Sequence, residues 1–259
     1  MDENFKKKIL DDINISGFQT ELEVASILKK NGWKVEPNTN YVDYDSNKSR
    51  EIDIIAYKNP SGGSIYLELH LVVEVKKSNK PWIVFTSEFK QTFYHRYASG
   101  LLKKFANKKK GFKSNILTRK SPNSSFERIG TSYKEAFKKP NEPSKIYEAL
   151  LSACKASLFR FTEEAPPKEL ERDPFDPNHP VEIYIYHPII VLEGILIEAY
   201  LNEEGEIEIS ESDFIPVQLK YQTQKAEENE FYCDVISKQG LNKYCKKLDE
   251  WIRNIINEK

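Results

Sequence analysis

Cysteine is scarce in this chain, and that excludes two architectures. Cys154, Cys233 and Cys245 are odd in number and show neither a CxxC spacing nor a nearby histidine pair, so neither a disulfide framework nor a structural zinc is expected. Long apolar runs are missing as well. The longest, Ile189 to Leu201, is interrupted by Glu193 and Glu198 and is too short and too charged for a bilayer helix. At the N-terminus, Asp2, Glu3 and Lys6-Lys7-Lys8 stand where a secretory signal would carry its apolar core. A cytoplasmic protein without membrane contact is expected. Histidine is rare too: His70, His95, His179 and His187 share no metal-ligand spacing, and structural roles are expected of all four.

What is present is enough for a core: 39% of residues are hydrophobic and 12% aromatic, which argues against a disordered chain. The net charge of -1 hides an asymmetry. Between Lys76 and Lys145, 18 Lys and Arg stand against four acids, while the rest of the chain is acidic. Such a segregation suggests one basic surface for a polyanion. A solvated helix face would account for Lys103, Lys104, Lys108, Lys109 and Lys110 alone, but the excess continues on both sides of them. Contact with nucleic acid is therefore expected, with Lys77 and Lys80 extending the basic set.

Patterning places the elements coarsely. Ser16 caps a helix that runs to Asn31 and stops at Gly32, and extended structure starts at Trp33. Residues 51–57 and 65–76 alternate and are rich in β-branched side chains, with Pro60-Ser61-Gly62-Gly63-Ser64 turning between them, which reads as a β-hairpin. Residues 86–110 look helical and basic, 111–143 loop-rich, and 144–161 helical, with Ile146, Leu150, Ala153, Cys154 and Leu158 on one face. After a proline-rich connector at 163–180, the apolar run 181–192 reads as a fully buried strand. Strands are expected near 195–201, 206–209, 215–222 and 231–237, and a terminal helix at 239–256.

Two anomalies carry chemistry. On a helical projection Glu21 falls inside an apolar arc made by Phe18, Leu22, Val24, Ala25 and Leu28, where a carboxylate must be paired, neutralised or metal-bound. A position at the rim of the stripe, with its head in water, is the simpler alternative. In the hairpin, a turn between Gly63 and Ser64 makes partners' numbers sum to 127, so Asp53 lies opposite Glu74 with β-carbons on the order of 5 Å apart. Facing carboxylates repel, yet hard divalent cations such as Mg²⁺ take one or two carboxylates with several waters. Lys76 shares that strand face and could orient a metal-bound water and balance charge in a phosphoryl transition state. The alternative, a same-face Glu74–Lys76 ion pair on an exposed strand, fits poorly with Leu69, Leu71, Val72, Val73 and Val75 around it. Trp82, in Lys80-Pro81-Trp82, fits an aromatic fixing a strand better than one stacking on a base.

The ordered set Glu21, Asp53 and Glu74-Val75-Lys76 resembles the PD-(D/E)XK nuclease superfamily, with its restriction-endonuclease-like fold. The segment Gly17-x-x-x-Glu21-x-x-Val24-x-x-x-Leu28-x-x-x-Gly32-Trp33-x-Val35 is similar to the opening of Mrr-type restriction nucleases. The likeness covers residues 17–77, and Ile52 stands where the family name has proline. Gln91 and Tyr94 are one residue too close for the Q-x-x-x-Y element of RecB-like nucleases. The resemblance implies that Asp53 and Glu74, with the Val75 carbonyl, hold Mg²⁺ or Mn²⁺, that Glu21 completes the site or binds a second ion, and that Lys76 is the catalytic lysine. It implies an α/β fold: one domain over 1–259, with a core at 17–77 plus 144–201, a basic helical insertion at 78–143 and a C-terminal extension at 202–259. The expected activity is metal-dependent hydrolysis of phosphodiesters, in DNA rather than RNA and as an endonuclease, with a role in defence against foreign DNA implied by the resemblance alone. A homodimer would suit cutting both strands of a duplex. Two rivals are a non-catalytic nucleic-acid-binding module on the same fold and a protein-interaction domain whose lysines contact an acidic partner.

Overall fold

The computed structural model describes residues 1–62, 64–88, 101–106, 117, 128–139, 142–164, 180–222 and 230–257. In chain order the described elements are helices α1 (Glu3–Ser16) and α2 (Phe18–Lys30) and strands β1 (Lys34–Asp43), β2 (Lys48–Lys58), β3 (Ser61–Gly62), β4 (Ile65–Lys77), β5 (Trp82–Glu88), β6 (Leu102–Ala106) and β7 (Arg128–Glu135). Helix α3 (Lys145–Glu163) follows, then β8 (Val181–Glu193), β9 (Leu196–Leu201), β10 (Ile207–Glu211), β11 (Phe214–Lys220), β12 (Glu230–Ser237) and helix α4 (Leu241–Ile256).

The strands form one mixed sheet in the order β1-β2-β4-β8-β12-β11-β7-β5-β9-β10, with β3 pairing β4 and β6 pairing β8. The apolar run of β8 explains its place: a strand hydrophobic on both faces is stable only where both faces are covered. It lies parallel to β4 along its whole length, from Ile65↔Val181 to Lys77↔Glu193. Its other edge is shared by β6, which pairs residues 182–186, and β12, which pairs 189–192. Pro188, which has no N–H to give a ladder, falls in the interval that neither of these covers.

Helices cover both faces. Val24 and Leu28 of α2 and Leu241, Tyr244, Leu248, Trp251 and Ile252 of α4 share one core with Ile54, Val73 and Ile189. On the other face Ile146, Leu150, Ala153, Cys154 and Leu158 of α3 pack on Trp82, Ile190, Leu192 and Cys233. Among the described residues no helix is long and apolar enough to cross a membrane. All three cysteines are free and buried, and Trp82 is fully buried at the start of β5, which removes it as a stacking platform.

Several expectations need correction. Residues 3–16, left without an element, form α1, and the helix after it is capped by Gly17 at φ 87°, not by Ser16, which closes α1. Only glycine adopts that left-handed turn freely. Phe18 and Leu22 are 51% and 65% exposed, so the buried stripe of α2 is Thr20, Val24 and Leu28, rotated away from the expected arc. Within the expected basic helix, residues 86–88 finish β5 and 102–106 form β6, while 89–100 and 107–110 lie outside the described residues. The expected loop at 111–143 contains β7, which joins β5 to β11 inside the sheet. The basic segment is thus woven into the sheet where it is described: β5 opens with the apolar run Trp82-Ile83-Val84-Phe85, and Ile129 of β7 is buried beside Arg128, short stretches that a charge count obscures. His95 and His179, Gln91 and Tyr94, Lys108, Lys109 and Lys110, and residues 165–179 of the proline-rich connector also lie outside the described residues.

Candidate active site

The hairpin register is the expected one. Ile54 pairs with Val73, Ile55 with Val72 and Ala56 with Leu71, each pair summing to 127. The ladder starts at Ile54↔Val73, so Asp53 and Glu74 are the next residues out, where the two strands part. Across that opening the Val75 N–H donates to Asp53 Oδ2 at 2.6 Å. This bond fixes one carboxylate oxygen and leaves Oδ1 with no hydrogen-bond partner among the described residues.

Glu74 is 7% exposed and held at both oxygens. Lys76 Nζ sits 2.5 Å from Oε1, and Ser152 Oγ of α3 donates to Oε2 at 2.8 Å. The Glu74–Lys76 ion pair of the alternative reading is present, but on a buried central strand and not on a solvated edge. Ser152 also contacts the Tyr41 hydroxyl, which ties β1, α3 and β4 together at this point.

Glu21 lies at the rim of the buried stripe of α2, half-buried, and its carboxylate makes no hydrogen bond or ion pair among the described residues. The helix that carries it is anchored by its neighbours. Thr20 Oγ1 donates to Glu193 Oε2 at 2.6 Å, and Lys238 Nζ bridges Glu193 at 2.7 Å and Glu23 at 2.6 Å. Burial opposes ionisation of Glu193, but the Lys238 and Thr20 hydrogen bonds outweigh it and hold its carboxyl at about 2. A permanently charged Glu193 at the end of β8 therefore pins α2 to the sheet and sets where Glu21 points.

The electrostatics mark a surplus of negative charge. Burial, and then the charge of Asp53, push the carboxyls of both Glu21 and Glu74 up from their ordinary values. Burial also pushes Asp53 up, against the pull of the Val75 N–H and Lys76. Burial works to lower Lys76, but the charge and hydrogen bond of Glu74, with Asp53 and Glu21, outweigh it and keep the amine above its ordinary range. Glu51 adds its charge from the same face of β2. One ammonium faces three carboxylates, with Glu51 adding negative charge beside Glu21 and Asp53, an arrangement that a second cation would relieve.

Whether a divalent ion suits these residues follows from the donor set. Asp53 with its unengaged Oδ1 and Glu74 supply the two carboxylates that Mg²⁺ or Mn²⁺ commonly takes alongside water, and Val75 lies between Glu74 and Lys76 on the same strand. Among the described residues no three His, Cys, Asp or Glu side chains gather into a metal-holding group. Glu21 therefore contributes field to the pair but does not join it as a third ligand in this arrangement.

Glu21, Asp53 and Lys76 are partly exposed and Glu74 is buried, and the two clefts nearby are lined by their neighbours. Glu74 and Lys76 lie toward the carboxyl end of β4, and Glu193 ends the parallel β8, the side on which open α/β sheets receive ligands. Two clefts meet at Glu148 of α3. One, of about 780 Å³, is lined by Lys77, Lys80, Lys138 and Lys145 with Glu135 and Glu142. The other, of about 500 Å³, is lined by Tyr41, Arg50, Glu51, Ser152 and Lys155. Lys77 and Lys80 thus stand beside the site, each already ion-paired, to Glu193 at 3.4 Å and to Glu142 at 3.1 Å.

Lys103 and Lys104 are elsewhere. They sit on β6 opposite Ile185 and Tyr184, while Glu74 is level with Ile190, five and six residues, or about 17–20 Å, further along β8. Lys104 stacks over Phe161 at 4.9 Å, and burial lowers its pKa. Histidines are structural where described: His70 stacks between Tyr57 and Tyr186, and the buried His187 contacts Asp234 at 3.0 Å. Sequence reasoning missed Ser152, Tyr41 and the Thr20–Glu193–Lys238 tie, none of which has a local signature.

No family model, no curated protein and no solved structure matches the chain.

Proposed function

We propose that this chain is a divalent-metal-dependent nuclease that hydrolyses phosphodiester bonds in nucleic acid, DNA in the first instance, as an endonuclease on a PD-(D/E)XK-type core. The observation that carries the reading is the opening of the β2–β4 ladder at Asp53 and Glu74, with Lys76 on Glu74 and Glu21 approaching from α2. Asp53 and Glu74, with the Val75 carbonyl, would hold Mg²⁺ or Mn²⁺, which when bound supplies Lewis acidity and a water more acidic than bulk. Lys76, kept protonated by three carboxylates, places a fixed positive charge where a phosphoryl oxygen would gain negative charge. Ser152 holds the orientation of Glu74, and the Val75 N–H that of Asp53. Lys77, Lys80, Lys138 and Lys145 line the cleft through which a polyanion would pass.

Asp53→Ala and Lys76→Ala are each expected to lower Mg²⁺-dependent cleavage of plasmid, linear duplex or single-stranded DNA at least ~100-fold. Circular dichroism should show the fold retained. Cleavage equal to that of the parent chain in both variants would refute the assignment. A second reading, a non-catalytic nucleic-acid-binding module, is favoured by the tight engagement of Lys76 with Glu74. Mn²⁺ titration separates the two, because only the enzyme requires a metal site that Glu74→Ala removes.

A further inference from the structure

Helix α1 leaves an apolar stripe in water. Phe5, Ile9 and Ile13 recur at every fourth position, span about 80° around the helix, and are 56%, 37% and 37% exposed. The neighbour of α1 in the fold is α2, and every described side chain of α1 is exposed. A stripe of this kind on a surface helix marks an interaction face.

The charges beside the stripe decide what covers it. Three lysines, Lys6, Lys7 and Lys8, stand against Asp2, Glu3, Asp11 and Asp12, so the segment has no basic face for an anionic membrane or a polyanion. Lys8 and Asp12 lie along one edge of the stripe and Lys6 along the other. Packed in parallel on a second α1, the Lys6 edge would meet the Lys8 edge at nearly the same height, and the helix dipoles would align. Packed antiparallel, each edge meets its own copy reversed. Lys8 then faces Asp12 of the second copy twice over, Ile9 meets its own copy and Phe5 meets Ile13, with opposed dipoles.

We propose that α1 is a homodimerisation helix, docking antiparallel on α1 of a second copy of this chain across a two-fold axis near Ile9. The arrangement is isologous and closed, and it does not depend on the nuclease reading.

Sedimentation velocity on the full chain tests it. The parent chain should show a concentration-dependent dimer below about 100 µM, and Ile9→Asp should raise the dissociation constant ~100-fold. Lys8→Asp and Asp12→Lys should each weaken the dimer, and the two together should restore it, because every intermolecular pair is then reversed but intact. Ile9→Cys should cross-link to a covalent dimer on oxidation, whereas Lys7→Cys, on the opposite side of α1, should not. A parent chain that stays monomeric, a dimer indifferent to Ile9→Asp, a charge swap that fails to restore association, or equal cross-linking at positions 7 and 9 would overturn the proposal.

Discussion

Replacing Asp53 by asparagine should raise the melting temperature of metal-free protein while removing the activity proposed for it. Asp53 and Glu74 lie one step beyond the Ile54↔Val73 pair, where continuation of the register summing to 127 would set them opposite. Two unit charges about 5 Å apart repel by roughly 3 kcal/mol at an effective dielectric constant near 20. Lys76 on Glu74 offsets part of this, leaving on the order of 1–2 kcal/mol to be recovered when one charge is deleted. Asparagine keeps an oxygen to accept from the Val75 N–H, so the local hydrogen bond survives. For a chain of this size, 1–2 kcal/mol corresponds to a rise of about 2–8 °C.

The pH dependence has a definite sign. Both carboxyls are held above their ordinary values, chiefly by burial. Their charging cost is therefore absent below the unfolded pKa, grows as pH rises from there and is complete above the folded one. The advantage of Asp53→Asn should be largest near about pH 8 and fade toward about pH 4. Mg²⁺ should reverse the ranking, since saturation at about a hundred times its dissociation constant adds roughly 2.7 kcal/mol to a chain that binds it. Thermal melts in EDTA and in Mg²⁺ at several pH values test this. A variant melting at or below the parent in EDTA near about pH 8, or gaining equally from Mg²⁺, would refute the reasoning.

Other perturbations have equally direct readouts. Ser152→Ala removes the donor to Glu74 Oε2 and should weaken Mg²⁺ binding about tenfold by calorimetry, with little change in melting temperature. Asp43, 2% exposed, accepts hydrogen bonds from Lys155, the Asp45 N–H and Ser46. Burial opposes its ionisation, but those donors outweigh it and hold the carboxyl at about 2. Its contribution, on the order of 2 kcal/mol, is thus present above its unfolded pKa and lost as pH falls from about 4 to 2. Lys155→Met leaves the buried Asp43 carboxylate with Arg50, at 3.1 Å, as its remaining cation and should cost about 2 kcal/mol in urea denaturation at neutral pH. Gly130→Ala would drive a methyl into Val84 and against Val217 and Pro216, where β7 is wedged between β5 and β11, and should cost about 1–3 kcal/mol in the same assay.

Local pattern determined much of this protein. The hairpin, its register and the approach of Asp53 to Glu74 follow from alternation and turn residues, because strand periodicity is strictly two and a one-residue slip would expose Ile54 and Val73. The buried strand β8 and helices α3 and α4 were legible for the same reason: their apolar spacing admits a single burial pattern. The strands β5, β6 and β7 were not legible, since a charge-rich segment's preference is overridden by the neighbours it pairs with.

Tertiary structure alone decided three things: that Glu21 sits at the rim of its stripe, that Ser152 reaches Glu74 from 78 residues away, and that Lys103 and Lys104 lie far along the sheet from the site. Each depends on how separate elements rotate and stack against one another. That is set by the packing of both cores together, and no window of sequence contains it.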